Sequence, residues 1–111
     1  MSTDATRPRL KWARSQRFRL TVKGEEGLRA WKSRLAEVQG QGKGAFDTAQ
    51  AEWAKGLGIT PDDTPTITEL AATPLRVEDV EKSFADLGLS RQAVKDSLSR
   101  LYDAGLVEPA V

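Results

Sequence analysis

Apolar residues recur at three- and four-residue spacing in five separate stretches of this chain, and the breaks between them fall at glycine, proline and small polar residues. The first stripe, Leu28, Trp31, Leu35 and Val38, predicts a helix capped by Thr21 and preceded by a short strand over residues 16–20. The second, Phe46, Ala49, Trp53 and Leu57, predicts a helix ended by Gly56 and Gly58. Thr66-Ile67-Thr68-Glu69 has the spacing of a capping box and opens a short helix with Ile67, Leu70 and Ala71 inward. Thr73-Pro74 breaks that helix and starts another, whose Val77, Val80, Phe84 and Leu87 face the core.

The fifth stretch is the most informative. Leu87-Gly88-Leu89-Ser90 supplies a glycine able to take a left-handed conformation, an apolar anchor, and a serine oxygen that caps the next helix. Val94, Leu98 and Leu101 then form the buried stripe, while Arg91, Gln92, Lys95, Ser99 and Arg100 lie elsewhere on the wheel. Gly105 stops this helix, and Leu106 packs back against it at the start of a short strand. Helix, tight turn, capped amphipathic helix and strand together read as a helix-turn-helix.

Two connections carry residues that invite a chemical reading. Gly40-Gln41-Gly42-Lys43-Gly44 has the glycines and lysine of a phosphate loop, but no strand precedes it and no Ser/Thr follows the lysine, so it is read as a flexible linker. Ile59 to Pro65 is turn-rich, and its Asp62 and Asp63 are expected to sit solvated, with no metal site.

Composition narrows the chemistry. With 111 residues the chain is long enough for one domain burying about 65% of its unfolded surface. Cysteine and histidine are both absent, which removes disulfides, zinc fingers, Cys/His pairs and Ser-His-Asp arrangements. The acidic pairs Glu25/Glu26 and Glu78/Asp79 point about 100° apart on a helix and have no nucleophile beside them. No catalytic residue, metal or cofactor is therefore expected. No segment approaches the roughly eighteen apolar residues of a membrane span, and a soluble cytoplasmic protein is expected.

The net charge of +1 conceals a strong polarity: residues 1–34 hold ten Lys/Arg against three acids, and residues 35–111 hold seven against thirteen. Residues 1–15 lack periodicity and read as a mobile basic arm carrying Arg7, Arg9, Lys11 and Arg14, with residues 16–111 forming the domain. Such an arm can bind an anionic partner, fold back on its own body, or dock onto an acidic neighbour. Trp12 within it either tucks onto the body or stands as an aromatic among cations.

The segment LSRQAVKDSLSRLYDAGLV resembles the recognition helix and first wing strand of winged-helix proteins among bacterial regulators. FRLTVKGEEGL resembles the last wing strand and following helix, which many such regulators write as Tyr/Phe-Arg-Leu-Thr-x-x-Gly. Here the second element comes first. Residues 16–20 are accordingly expected to pair with residues 105–108, closing a permuted or swapped wing within one chain or between two subunits. The alternative is an N-terminal strand belonging to an unrelated elaboration. Two departures bear on groove docking: the helix between Pro74 and Gly88 reads about one turn long, and Arg76 stands where a Ser/Thr cap is usual.

The fold expected is mainly α, a winged-helix-like helical domain with a small two-stranded β element. The resemblance implies a small regulator or accessory protein that binds nucleic acid, DNA rather than RNA. Arg91, Gln92 and Lys95 would contact base edges or phosphates, with Ser90 and Ser99 on phosphates. Arg7, Arg9, Lys11, Arg14, Arg17 and Arg19 would supply a salt-dependent electrostatic contribution. Asp96 on the reading face, with Asp86 and Asp103 flanking it, opposes this, and the alternative is a protein-interaction module whose arm docks on an acidic partner. The helix bearing Leu28, Trp31, Leu35 and Val38 either pairs with its copy in a homodimer or covers its own core.

Overall fold

The computed structural model describes residues 13–110; Arg7, Arg9, Lys11 and Trp12 lie outside the described residues. In chain order the elements are β1 (Arg17–Leu20), α1 (Val22–Val38), α2 (Lys43–Leu57), a single 3-10 turn (Pro61–Asp63), α3 (Thr64–Ala72), β2 (Leu75–Arg76), α4 (Val77–Ala85), α5 (Arg91–Asp103) and β3 (Val107–Ala110). The protein is mainly α-helical with a small antiparallel sheet. None of the described helices is long and apolar enough to cross a membrane.

The sheet has three strands in the order β2-β1-β3, one more than expected. β1 lies in the middle, with Arg17 opposite Ala110 and Leu20 opposite Val107 on one side, and Arg17 opposite Arg76 on the other. The pairing expected between residues 16–20 and 105–108 is thus made within one chain, shifted toward the C-terminus on the β3 side. Alternation along β1 sends Phe18 and Leu20 into the core and leaves Arg17 and Arg19 on the outer face.

The Leu-Thr-x-x-Gly text has a local cause. Thr21 Oγ1 accepts a hydrogen bond from Gly24 N at 3.0 Å, capping α1, and donates to Gly105 O at 2.6 Å. Thr21 N donates to Leu106 O at 3.0 Å. The start of α1 therefore lies directly on the backbone where α5 gives way to β3, and at Gly24 a Cβ would collide with Leu106 O.

α1 and α2 form an antiparallel pair held by aromatics. Trp31 stacks on Trp53 at 5.2 Å between ring centres and meets Phe46 edge-on at 5.6 Å, while Trp53 Nε1 donates to Gly27 O at 2.8 Å. The stripe on α1 thus covers its own core through α2. The rest of the core joins Phe18, Ile67, Val77, Val80, Phe84, Leu98 and Leu106 in one cluster.

Several expectations are corrected. α2 begins at Lys43, so Lys43 and Gly44 form its first turn and are not linker. It runs through Gly56 to Leu57, and Gly58, at φ 79°, alone supplies the left-handed end. Phe46 is exposed, because it lies at the rim of the aromatic pair. The capping box is not at Thr66–Glu69, since Thr66 is buried inside α3; instead Thr60 N donates to Asp63 Oδ2 at 3.0 Å. Ala71 faces solvent. α4 starts at Val77, after β2, and is only nine residues long, with Leu87 beyond its end and 67% exposed. Arg76 does occupy the cap position, and the cap is made in reverse by Asp79 Oδ2, which accepts Arg76 N at 3.1 Å.

Gly56 sits in the last turn of α2 with helical backbone and open space where a Cβ would stand. Gly56→Ala is therefore expected to stabilise the protein by about 0.5–1 kcal/mol, read as a higher denaturant midpoint at unchanged slope.

Candidate nucleic-acid interface

α5 is positioned by its first and last residues. Gly88, at φ 78°, lets Leu89 N reach back to Phe84 O at 3.1 Å and closes α4; Ser90 Oγ then accepts Ala93 N at 3.1 Å and opens α5. At the far end Gly105 turns the chain so that Leu106 N bonds Leu101 O at 2.9 Å. Val94, Leu98 and Leu101 are buried, so Arg91, Gln92, Lys95, Asp96 and Ser99 are left on the exposed face.

These side chains are not equally free. Ser90 works as a cap. Gln92 Nε2 donates to Asp96 Oδ1 at 2.9 Å, one turn on, which occupies part of the amide and locally neutralises nothing. Lys95 and Ser99 are exposed, and Lys95 has no ion-pair partner among the described residues. Asp86 and Asp103 are exposed as well. On α5 the outward cations and anions are thus about evenly matched.

The root of the arm joins this face. Arg14, expected to belong to the mobile arm, is bound to the body: its Nε donates to Glu81 Oε1 at 2.9 Å, and its carbonyl accepts Glu78 N at 3.0 Å. Gln16 O accepts Val77 N at 3.0 Å. The first two free amides of α4 are therefore satisfied by the chain segment that precedes β1. Glu81 itself is 7% exposed, its Oε2 has no hydrogen-bond partner among the described residues, and Arg91 Nε stands 3.9 Å from its Oε1. One enclosed carboxylate consequently draws together the arm root and the first residue of α5.

No family model, curated protein or solved structure matches this chain. Arg91 and Arg14 meet at Glu81, and Arg14 lies three residues before Arg17 on the outer face of the sheet. Arg19 stands apart from this set, its Nε paired with Glu108 Oε2 at 2.8 Å and not with Glu81.

Sequence reasoning missed Glu81 and Asp63. Glu81 falls on the buried stripe between Val80 and Phe84, so an acid at that helical position was the available signal. Asp63 is fully buried, not solvated. Its Oδ1 accepts Ser97 Oγ at 2.7 Å and Arg100 Nη2 at 2.8 Å, its Oδ2 accepts Arg100 Nε at 2.9 Å, and Ser97 continues to Thr66 at 2.8 Å. Burial pushes the Asp63 carboxyl up, but the hydrogen bonds from Arg100, Ser97 and Thr60 with the Arg100 charge outweigh it, and the group is held below the usual carboxylate range. This network fixes α5 against the turn before α3 and leaves Arg100 with a structural role. Thr60-x-x-Asp63 has capping-box spacing, which was the signal for it.

Proposed function

We propose that this protein binds duplex DNA as a small cytoplasmic regulator or accessory factor of helix-turn-helix type, presenting α5 to the major groove. The observation that carries the reading is the continuity of Arg91 on α5 with Arg14 at the root of the basic arm, through the enclosed Glu81. α5 is 13 residues long and exposes Arg91, Gln92 and Lys95 in its first turns, the end that reaches base edges in such docking. The winged-helix resemblance is supported by β1 lying between β2 and β3, because it takes the place of a wing strand that arrives from the other end of the chain. DNA is favoured over RNA since the major groove of B-form DNA admits a helix and that of an A-form helix does not. Arg7, Arg9 and Lys11 precede the anchored segment and would add phosphate contacts.

The Arg91→Ala, Lys95→Ala double variant is expected to bind random duplex DNA about tenfold more weakly than the wild type in fluorescence anisotropy, and to flatten the dependence of log K on log salt by about 2. Asp96→Asn is expected to act in the opposite direction. Unchanged affinity in both variants would remove α5 from the interface. The hydrogen bond from Gln92 to Asp96, with Asp86 and Asp103 exposed nearby, favours a second reading in which α5 faces a protein and the arm docks on an acidic partner.

A further inference from the structure

Across the β1–β2 ladder Arg17 stands directly opposite Arg76, on the solvent face of the sheet. Directly opposed residues of an antiparallel pair have Cα atoms about 5 Å apart, and like charges there repel. Among the described residues little relieves this pair. Arg17 has no ion-pair partner among the described residues, and Arg76 has only Glu78, whose Oε1 lies 3.6 Å from Nη1 in a solvent-exposed contact. The third strand offers no acid at this level either, because Arg17 faces Ala110 on that side. One register step further on, Arg19 has Glu108 opposite it at 2.8 Å. The sheet therefore neutralises one of its two outward arginines on β1 and leaves the other beside a second cation.

The pair lines a shallow, open hollow. A cleft of about 490 Å³ is lined by Ala13, Ser15, Gln16, Arg17, Arg76 and Ala110, with no carboxylate among them. Its floor is held in place: Gln16 Nε2 donates to Arg17 O at 2.8 Å and to Ala110 O at 3.3 Å, and Gln16 O and Arg14 O take the first amides of α4. Those amides are spent, so any anion in the cleft would be held by side chains. Two arginines and a serine lining one shallow hollow offer the charge and the donors that suit the several acceptor oxygens of a phosphate group.

We propose that the Arg17/Arg76 cleft is a phosphate-binding site, and that its phosphate is a backbone phosphodiester of the duplex that faces α5. The source of the phosphate rests on the nucleic-acid reading above; the site itself does not. Arg76, which departs from the usual Ser/Thr cap, then has a positive role. Arg14, which shares Glu81 with Arg91, sits in the chain between Ala13 and Ser15 of the cleft lining, so the surface that carries the cleft adjoins the start of α5. A duplex lying along that surface would be held by its backbone at the sheet while α5 approaches its bases.

The test uses the full chain, labelled with 15N-arginine. Inorganic phosphate is titrated at constant ionic strength against chloride while the side-chain Nε–Hε resonances are followed, and duplex DNA is titrated in parallel by anisotropy at several salt concentrations. Saturable shifts at Arg17 and Arg76 in phosphate, lost in Arg17→Ala and in Arg76→Ala, are expected. The double variant is expected to bind DNA about tenfold more weakly, with a salt slope reduced by about 1. Arg17→Lys with Arg76→Lys keeps the charge and removes the forks, and should weaken phosphate binding even if an alanine variant fails to fold. Phosphate shifts with no DNA binding by the wild type would uphold the site, assign it to free phosphate and sink the nucleic-acid reading. Absence of saturable shifts at both arginines overturns the proposal whatever the DNA result.

Discussion

Asp63→Ala is expected to be among the most damaging single changes in this protein, lowering stability by about 3 kcal/mol, at the lower end of the cost of breaking a buried ion pair. The carboxylate is fully buried, while the Arg100 side chain is 38% exposed, so water screens the cation that would be stranded and moderates the loss. Four groups lose their acceptor at once: the Arg100 fork, the Ser97 hydroxyl, and the Thr60 backbone amide and hydroxyl. The melting temperature should fall by more than ~10 °C. Asp62→Ala, one residue away and exposed, should change stability by less than ~0.5 kcal/mol. Equal effects at the two positions would contradict the network.

The same pair predicts the acid response. Because the folded Asp63 carboxyl lies below its ordinary value of 3.8, the unfolded chain binds more protons between the two values, and stability rises with pH across that window. The contribution is complete above the unfolded value and is lost as pH falls below it and through the folded value. Wild-type protein should therefore lose stability below about pH 4 more steeply than Asp63→Asn, whose side chain does not titrate. Urea midpoints measured between about pH 2 and pH 6 would show the two profiles converging at the acid end.

Gly24→Ala is the second large effect. Elsewhere in an α-helix alanine is the better residue, by up to ~1 kcal/mol. At Gly24 the added methyl would meet Leu106 O, a backbone atom held by Thr21 N and fixed in place by the turn at Gly105. Relief requires moving the start of α1 away from β3, which also strains the Thr21 bonds to Gly24 N and Gly105 O. A loss of about 2–3 kcal/mol is expected from overpacking of this kind. Gly27→Ala makes a useful contrast, since its Cβ would meet only the Leu57 side chain at 3.1 Å, which can rotate away. A smaller loss there than at Gly24 would show that contact with backbone, and not loss of glycine, decides the outcome. A stabilising Gly24→Ala would contradict the close approach.

Much of the helical layout was legible because it rests on local signals. Thr21, Ser90, Gly58, Gly88 and Gly105 cap or end helices through atoms only a few residues away, and the stripes on α1, α4 and α5 are ordinary amphipathic periods. The β1–β3 pairing was also legible, through the order of two text fragments. What escaped was set by distant partners. Asp63 looked like one of two turn aspartates until Arg100, 37 residues on, met it. Arg14 looked like part of a free arm until Glu81 and the Glu78 amide supplied partners 67 and 64 residues away. Leu87 fits the α4 stripe, but the helix ends two residues before it, so the period no longer governs where it points. At the candidate interface the exposed residues of α5 were readable from the wheel; the pairing of Arg17 with Arg76 was not, because β2 is too short to leave a pattern.

The claim on which the functional account stands is that the protein binds duplex DNA with its basic arm lying on the phosphate backbone beside α5. The most direct test is fluorescence anisotropy of the full chain on a random DNA duplex across a salt series, compared with a full-length variant carrying Gln at Arg7, Arg9 and Lys11. Micromolar binding is predicted, falling steeply and linearly in log K against log salt, with a shallower line for the variant. Absence of binding at low salt, or affinity indifferent to salt, would contradict the account and direct the search to a protein partner.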